Sequence, residues 1–355
     1  MEIGRFGKTE MQVARIGFGG MTIPKVSIEQ AVATINRALD LGVNFVDTAR
    51  IYGKGDSERK IGRVMEKRRQ EVYLSSRTPD GSYDGIKKGI EESLEALRTD
   101  HLDLYEPHDV STQARYDKLM RKGGGLKALQ EARDEGTIRH IGFTSHNWEL
   151  ITKMIRSGEF EAGLVTYNIA NREVEEEVLD LAEEYDVGLF VMKVFGNASL
   201  LELSPPAEER KPTVEECLRF ALSNTRFPLI LTGVKSPEEI EQNVSIAERY
   251  RPLSEEAQQE LRAFGDRLGR GYCYGCEYCM PCPQEIDIPG ILQLLDYRER
   301  ISWEWPQARK AYAGFSATIE DCIDCEQCEE RCPQKLPVRE RLRTAHEKLT
   351  PPPGS

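Results

Sequence analysis

Between Arg15 and Ala247 the chain alternates short β-rich runs with amphipathic helical stretches, and the number of alternations decides what it can fold into. Eight runs read as strands: RIGFGG, NFVDT, EVYLSS, LDLYEPH, RHIGFTS, AGLVTYN, VGLFVMKV and PLILTG, each followed by a helical pattern. Helical spacing is clear in Ile28, Val32, Ile35 and Leu39, in Ile86, Ile90, Leu94 and Leu97, and in Ile240, Val244 and Ala247. Eight such units in roughly 250 residues predict a closed (β/α)8 TIM barrel of the α/β class. The residues before Arg15, with GKTEM as a turn, are expected to form a hairpin across the barrel's bottom.

The pattern changes after RYRPLS. Ala257, Leu261, Phe264 and Leu268 mark one more amphipathic helix, ended by Gly269 and Gly271. The chain therefore divides into a barrel over 1–250, a linker helix over 251–271, a small α-helical cysteine-rich domain over 272–346 and a frayed tail over 347–355. Ile291, Leu292, Leu294 and Leu295, followed by Trp303 and Trp305, are expected to dock the small domain on the barrel.

With 48 basic against 60 acidic residues the formal charge is -12, which repels a nucleic-acid backbone and an anionic membrane surface. No apolar run reaches membrane-span length, and MEIGRFGKTE lacks the apolar core and cleavage site of a signal peptide. The expected location is the cytoplasm, where close thiols bind metal more often than they form disulfides.

Of the 9 cysteines, Cys217 lies beside Val214, Leu218 and Ala221 on an apolar helical face and reads as core. The other cysteines form two runs. The second, Cys322, Cys325, Cys328 and Cys332, has the CxxCxxCxxxCP spacing of bacterial two-cluster ferredoxins, in which the cysteine before proline serves the other cluster. The first, Cys273, Cys276, Cys279 and Cys282, is one residue shorter. The crossed rule assigns Cys273, Cys276, Cys279 and Cys332 to one 4Fe-4S cluster, and Cys322, Cys325, Cys328 and Cys282 to a second. Two structural zinc sites are the alternative, although zinc more often uses two separated CxxC pairs.

Barrel enzymes place their chemistry after the strands, and here polar residues recur there. Asp47 closes NFVDT, Tyr52 follows in ARIYG, Arg77 follows VYLSS and His108 closes LDLYEPH. A phenol with a pKa near 10 is a poor proton donor unless a nearby cation lowers that value. Arg77, held by Asp47, is the expected cation, with His108 orienting a substrate oxygen. Taken singly, the aspartate reads as a helix cap, the tyrosine as packing and the histidine as a hydrogen-bonded mouth residue.

Through GVNFVDTARIYGKGDSERKIG, HIGFTSHN, CMPCPQEIDIP and CEERCPQ the chain resembles the aldo-keto reductases that carry a C-terminal ferredoxin-like domain. The resemblance implies a nicotinamide dinucleotide, NADPH or NADH, bound without a Rossmann fold, and an Asp, Tyr, Lys and His tetrad. Carried over, the tetrad is Asp47, Tyr52, Arg77 and His108, with arginine at the usual lysine position. The resemblance also places Ser145, His146 and Asn168 against the carboxamide, and Met192 and Lys193 under the ring and toward the phosphates. Gly233, Lys235 and Ser236 then face a phosphate at a helix start, with Asn243 near the adenine. Two positions depart further: Leu164 stands where the family has a carboxamide-binding glutamine, and Glu239 where an arginine favours a 2′-phosphate. For GVKSPEE an ordinary capped helix start is the competing reading.

The expected activity is hydride transfer between a nicotinamide and a small carbonyl or alcohol, with Tyr52 as general acid or base, coupled to electron transfer through two clusters and a partner protein. A hydride carries two electrons, so such coupling needs a divider; a flavin would serve, and no flavin motif is visible. The alternatives are a nicotinamide-independent reductase fed by the clusters, and a non-catalytic redox sensor or electron carrier.

Overall fold

The computed structural model describes the chain except residues 197–198, 203–210, 269–271, 274, 276, 301–304, 333 and 351–355. It contains two compact units. Met1–Tyr167, Arg172–Val194 and Leu218–Pro252 form the first, and Asn168–Asn171, Phe195–Cys217 and Leu253–Ser355 the second. Among the described residues no helix is long and apolar enough to cross a membrane.

In the first unit β1 (Ile3–Arg5) pairs antiparallel with β2 (Gln12–Ala14). Eight parallel strands follow: β3 (Ile16–Gly19), β4 (Phe45–Asp47), β5 (Tyr73–Thr78), β6 (Leu102–Pro107), β7 (Ile138–Ser145), β8 (Ala162–Thr166), β9 (Gly188–Met192) and β10 (Leu229–Gly233). They pair in sequence order, and β10 returns to β3, so the barrel closes and leaves no edge exposed. All eight predicted strands are there. Helices between them start at side-chain caps: Ser27, Ser82, Thr112, Asn147 and Ser236 each accept a first-turn backbone N–H.

Alternate residues of each strand point inward, and Phe45, Leu104, Leu164 and Phe190 fill the barrel together with Phe6 of the hairpin. The Phe6 ring meets Phe45 and Phe190 edge-on at centroid distances of 5.9 and 5.4 Å, the arrangement that aromatic quadrupoles favour. The turn after Phe6 requires glycine. Gly7 has φ 53°, and a Cβ there would lie 2.2 Å from the Gly188 nitrogen. Gly7→Ala is expected to cost about 2–4 kcal/mol through left-handed strain and overpacking, read as a lower denaturant midpoint at unchanged slope.

The second unit contains helices Glu255–Leu268, Ile288–Arg300, Trp305–Tyr312 and Val338–Leu349. Ile291, Leu292, Leu294 and Leu295, expected to dock the domain, supply this unit's own core together with Leu336, Leu342 and Ala345. Trp303 lies outside the described residues. A repeat is built into the unit: CPQEIDI from Cys282 and CPQKLPV from Cys332 turn alike. Glu285 and Lys335 are both left-handed, φ 56° and 52°, and their N–H groups donate to the Cys282 and Cys332 carbonyls at 3.0 and 3.1 Å.

Candidate active site and cysteine cradle

Three neighbouring strands bring charge into one buried layer. Parallel register sets Asp47 of β4 beside Ser75 of β5, and Arg77 of β5 beside Glu106 of β6. Arg77 Nη1 donates to Asp47 Oδ1 at 2.9 Å and to Glu106 Oε2 at 2.7 Å. Its Nη2 donates to Asp47 Oδ2 and, at 3.3 Å, to the Tyr52 hydroxyl. A planar fork can make these bonds at once, whereas one ammonium would have to choose among them.

Tyr52 follows β4 in a turn anchored by Arg50. That guanidinium pairs with Glu58 and with Glu92, and Glu58 accepts from Ser76 Oγ at 2.6 Å. The Tyr52 and His108 rings meet at right angles with centroids 5.9 Å apart. The structure therefore brings Asp47, Tyr52, Arg77 and His108 together.

The electrostatics correct one expectation. Tyr52 is held above the ordinary phenol range, because withdrawal from water outweighs the pull of Arg77, and Asp47 and Glu106 act in the same sense as burial. Burial holds His108 well below the imidazole range, and Arg77, Arg115 and Lys193 push it the same way. Burial raises Asp47 against Arg77's attraction and pushes Glu106 up to about 8. At neutral pH the site thus offers a protonated phenol and a neutral imidazole, with a guanidinium behind them.

The residues expected at a nucleotide fall at the ends of β7, β9 and β10, on the helix after β10 and, for Asn168, in the second unit. Ser145 closes β7, donating to the Val110 carbonyl at 2.9 Å and accepting from Asn147 N at 3.0 Å. His146 meets Thr166 Oγ1 at 2.9 Å through Nδ1 and Lys193 Nζ at 3.4 Å through Nε2. Met192 ends β9, and Lys193 follows with φ 60°. Asn168 belongs to the second unit, where its Oδ1 accepts from Ala170 N and Asn171 N, both at 2.9 Å. Gly233 ends β10, Ser236 caps the helix Pro237–Glu248, and Asn243 is buried on that helix. There the Glu239 carboxylate accepts from the Lys235 N–H at 2.6 Å, so a helix-start amide expected at a phosphate already holds an anion. Leu164 is packed inside the barrel, and Thr166, two residues on along β8, supplies the polar contact to His146. Glu106, Glu58 and Thr166 escaped sequence reasoning. The signal for Glu106 was present, since it stands two residues after Leu104 on the same strand and so on the same inward face.

In the second unit Cys217 is buried, and burial pushes its thiol up to about 12, in keeping with core. A narrow open cleft is lined by Cys279, Cys282, Cys322, Cys325 and Cys328. Cys273 and Cys332 are buried in the adjoining core, and Cys276 lies outside the described residues. Gly275 N–H reaches Cys273 Sγ and Asp324 N–H reaches Cys322 Sγ, both at 3.4 Å, so the first sulfur of each run faces a backbone donor. A donor set made of thiols in this spacing fits an inorganic iron-sulfur cube.

A phenol, an imidazole and a buried ion pair thus stand together at the strand ends of a parallel barrel. The aldo/keto reductase family model matches residues 15–215 and a 4Fe-4S dicluster domain model matches residues 272–336. The chain belongs to the aldo/keto reductase family and carries a C-terminal 4Fe-4S domain. It is 24% identical over 292 residues to the uncharacterized oxidoreductase YqkF of Bacillus subtilis, covering 71% of this chain and 93% of that one. It is 25% identical over 312 residues to pyridoxal 4-dehydrogenase of Microbacterium luteolum, covering 67% and 90%. Among solved structures, the holo form of aldo-keto reductase AKR11C1 from Bacillus halodurans is similar with TM-score 0.65 at 24% identity, over 74% of this chain and 96% of that one. An aldo/keto reductase from Klebsiella pneumoniae in complex with NADP and acetate is similar with TM-score 0.59 at 22% identity, over 75% and 95%.

Proposed function

We propose that the chain reduces a small carbonyl compound, or oxidises the corresponding alcohol, in the barrel mouth. The observation that carries this reading is the Tyr52 hydroxyl, 3.3 Å from Arg77 Nη2 and beside the His108 ring. A bound nicotinamide dinucleotide would supply or take the hydride, held in the first unit by Ser145, His146, Met192, Lys193, Gly233, Lys235, Ser236 and Asn243. His108 orients the substrate oxygen with a neutral N–H, and Tyr52 gives that oxygen its proton as negative charge develops. The NADP-bound Klebsiella relative supports the nucleotide, and the pyridoxal dehydrogenase relative supports the substrate class.

In the small domain we assign two 4Fe-4S cubes with crossed ligation, on the spacing of the two cysteine runs before proline; one cleft brings cysteines of both runs, Cys279, Cys282, Cys322, Cys325 and Cys328, to one wall. The cubes would supply one-electron steps, exchanged with a partner redox protein.

Glu239 predicts a preference. A carboxylate beside the helix start repels a 2′-phosphate, so NADH is expected to bind at least about tenfold more tightly than NADPH, a difference of about 1.4 kcal/mol, and Glu239→Gln should narrow it. Calorimetric titration of anaerobically prepared protein measures both. Tighter NADPH binding would remove Glu239 as the discriminator. Leu164 and Glu239 also favour a second reading, a reductase fed by the clusters alone. It takes over if neither nucleotide binds while dithionite-reduced protein turns a carbonyl over.

A further inference from the structure

In the buried layer one guanidinium faces two carboxylates. Asp47 receives both forks of Arg77, whereas Glu106 receives one bond, from Nη1 at 2.7 Å. Asp47 is 2% exposed, Arg77 1% and Glu106 0%, so no ion of the three is hydrated. With both carboxylates ionised the layer would hold an uncompensated negative charge away from water, a state that burial converts into a retained proton.

Glu106 is where that proton fits. Its Oε2 has Ser75 Oγ as a further neighbour only at 3.5 Å, and its Oε1 is buried with no hydrogen-bond partner among the described residues. A carboxylate with one bare oxygen is the costlier form of the group. On β7 the neighbour is Gly142, where a Cβ would come 3.1 Å from Glu106 Cγ, so glycine at that position leaves room for the glutamate. The charged and titratable groups around Glu106 are Asp47 from β4, Tyr52 from the turn after it, Arg77 from β5 and His108 just past the end of its own strand.

We propose that Glu106 is a positioning residue that holds a proton at working pH, and by holding it keeps the Arg77 charge available to the Tyr52 phenol. While Glu106 is neutral, the layer carries no net charge and Arg77 Nη2 still donates to the phenol at 3.3 Å. When Glu106 ionises, a full negative charge appears beside the phenol and the tyrosinate becomes harder to form. Reduction breaks the Tyr52 O–H bond and makes the O–H bond of the product, and the tyrosinate recovers its proton from water. Reduction should therefore slow as Glu106 ionises, near pH 8. The catalytic consequence rests on the function proposed for Tyr52, but the proton on Glu106 does not.

Infrared difference spectroscopy on holoprotein carrying isotopically labelled glutamate tests the proton directly. The expected result is a labelled carboxylic-acid carbonyl band at about pH 6 that disappears by about pH 9 and is missing from Glu106→Gln. No such band at pH about 6 in the native protein, or a band that persists in Glu106→Gln, overturns the proposal. If Glu106→Gln does not fold, the labelled native titration alone decides it. For the link to Tyr52, kcat/KM for reduction should fall roughly tenfold between about pH 7 and pH 9 in the native enzyme and less than about twofold in Glu106→Gln. Equal falls in both overturn the link. A titrating band in a protein whose Tyr52→Phe variant still reduces carbonyls would sink the proposed function and leave the buried proton standing.

Discussion

Tyr52→Phe is expected to lower the rate of carbonyl reduction by roughly 10²- to 10⁴-fold, about 3–5 kcal/mol of transition-state stabilisation, with KM little changed. The loss should fall on kcat because the phenol proton is given up only as the oxygen becomes an alkoxide, so the bond it makes is strongest in the transition state. The variant removes one hydroxyl from a ring whose edge still meets His108, and the Asp47–Arg77–Glu106 bonds do not depend on it. Folding and the visible absorption of the clusters should therefore be unaffected. The sign of the pH dependence follows from the environment: a phenol held above its ordinary range stays protonated through neutral pH, so the donor form is present for reduction though as a weaker acid, and the ionised form that must accept the proton in the reverse reaction is scarce. Anaerobic steady-state kinetics on a panel of aldehydes and ketones, run in both directions, measures this. A Tyr52→Phe enzyme within about threefold of the native rate would remove the phenol from the chemistry.

The barrel was legible because its signal is a count. Each of the eight strand runs pairs with the next, and nothing beyond the period of the apolar residues was needed to see it. The tetrad was legible for a related reason, since Asp47, Arg77 and His108 stand at or beside strand ends that a closed barrel must bring to one rim. The balance of forces on Tyr52 was not. A cation in the sequence suggests a lowered phenol pKa, but the outcome depends on withdrawal from water and on Glu106, whose side chain faces Arg77 only through the β5–β6 register. Glu239 shows the same limit, because GVKSPEE does not reveal that its carboxylate turns back onto the Lys235 amide. The repeat after Cys282 and Cys332 lay in plain view in the sequence, but its meaning came from paired left-handed turns.

Those turns bear on the largest effect expected in the second unit, the loss of a whole cluster. Cys282→Ala should remove one cube, roughly half of the bound iron, and the test of crossed ligation is which second substitution does further damage. If Cys282 and Cys325 serve the same cube, Cys282→Ala combined with Cys325→Ala loses no more iron than either alone. Cys332→Ala combined with Cys325→Ala then strips both cubes. Uncrossed ligation predicts the reverse pattern, so the two double variants form a cycle whose non-additivity names the partners. Crossing is argued from the ferredoxin-type spacing before each proline; the cleft lined by Cys279, Cys282, Cys322, Cys325 and Cys328 mixes both runs, and Cys273 and Cys332 share one buried core. Iron analysis and electron paramagnetic resonance of dithionite-reduced protein read the outcome. The cost should extend to the fold. Cys273, Cys332 and the walls around them contribute to a core that includes Ile286, Leu336 and Leu342, so removing the iron would leave buried thiolates without their cations. Chelation is accordingly expected to melt the second unit while the barrel, closed by its own strand pairing and plugged by Phe6, keeps its circular dichroism.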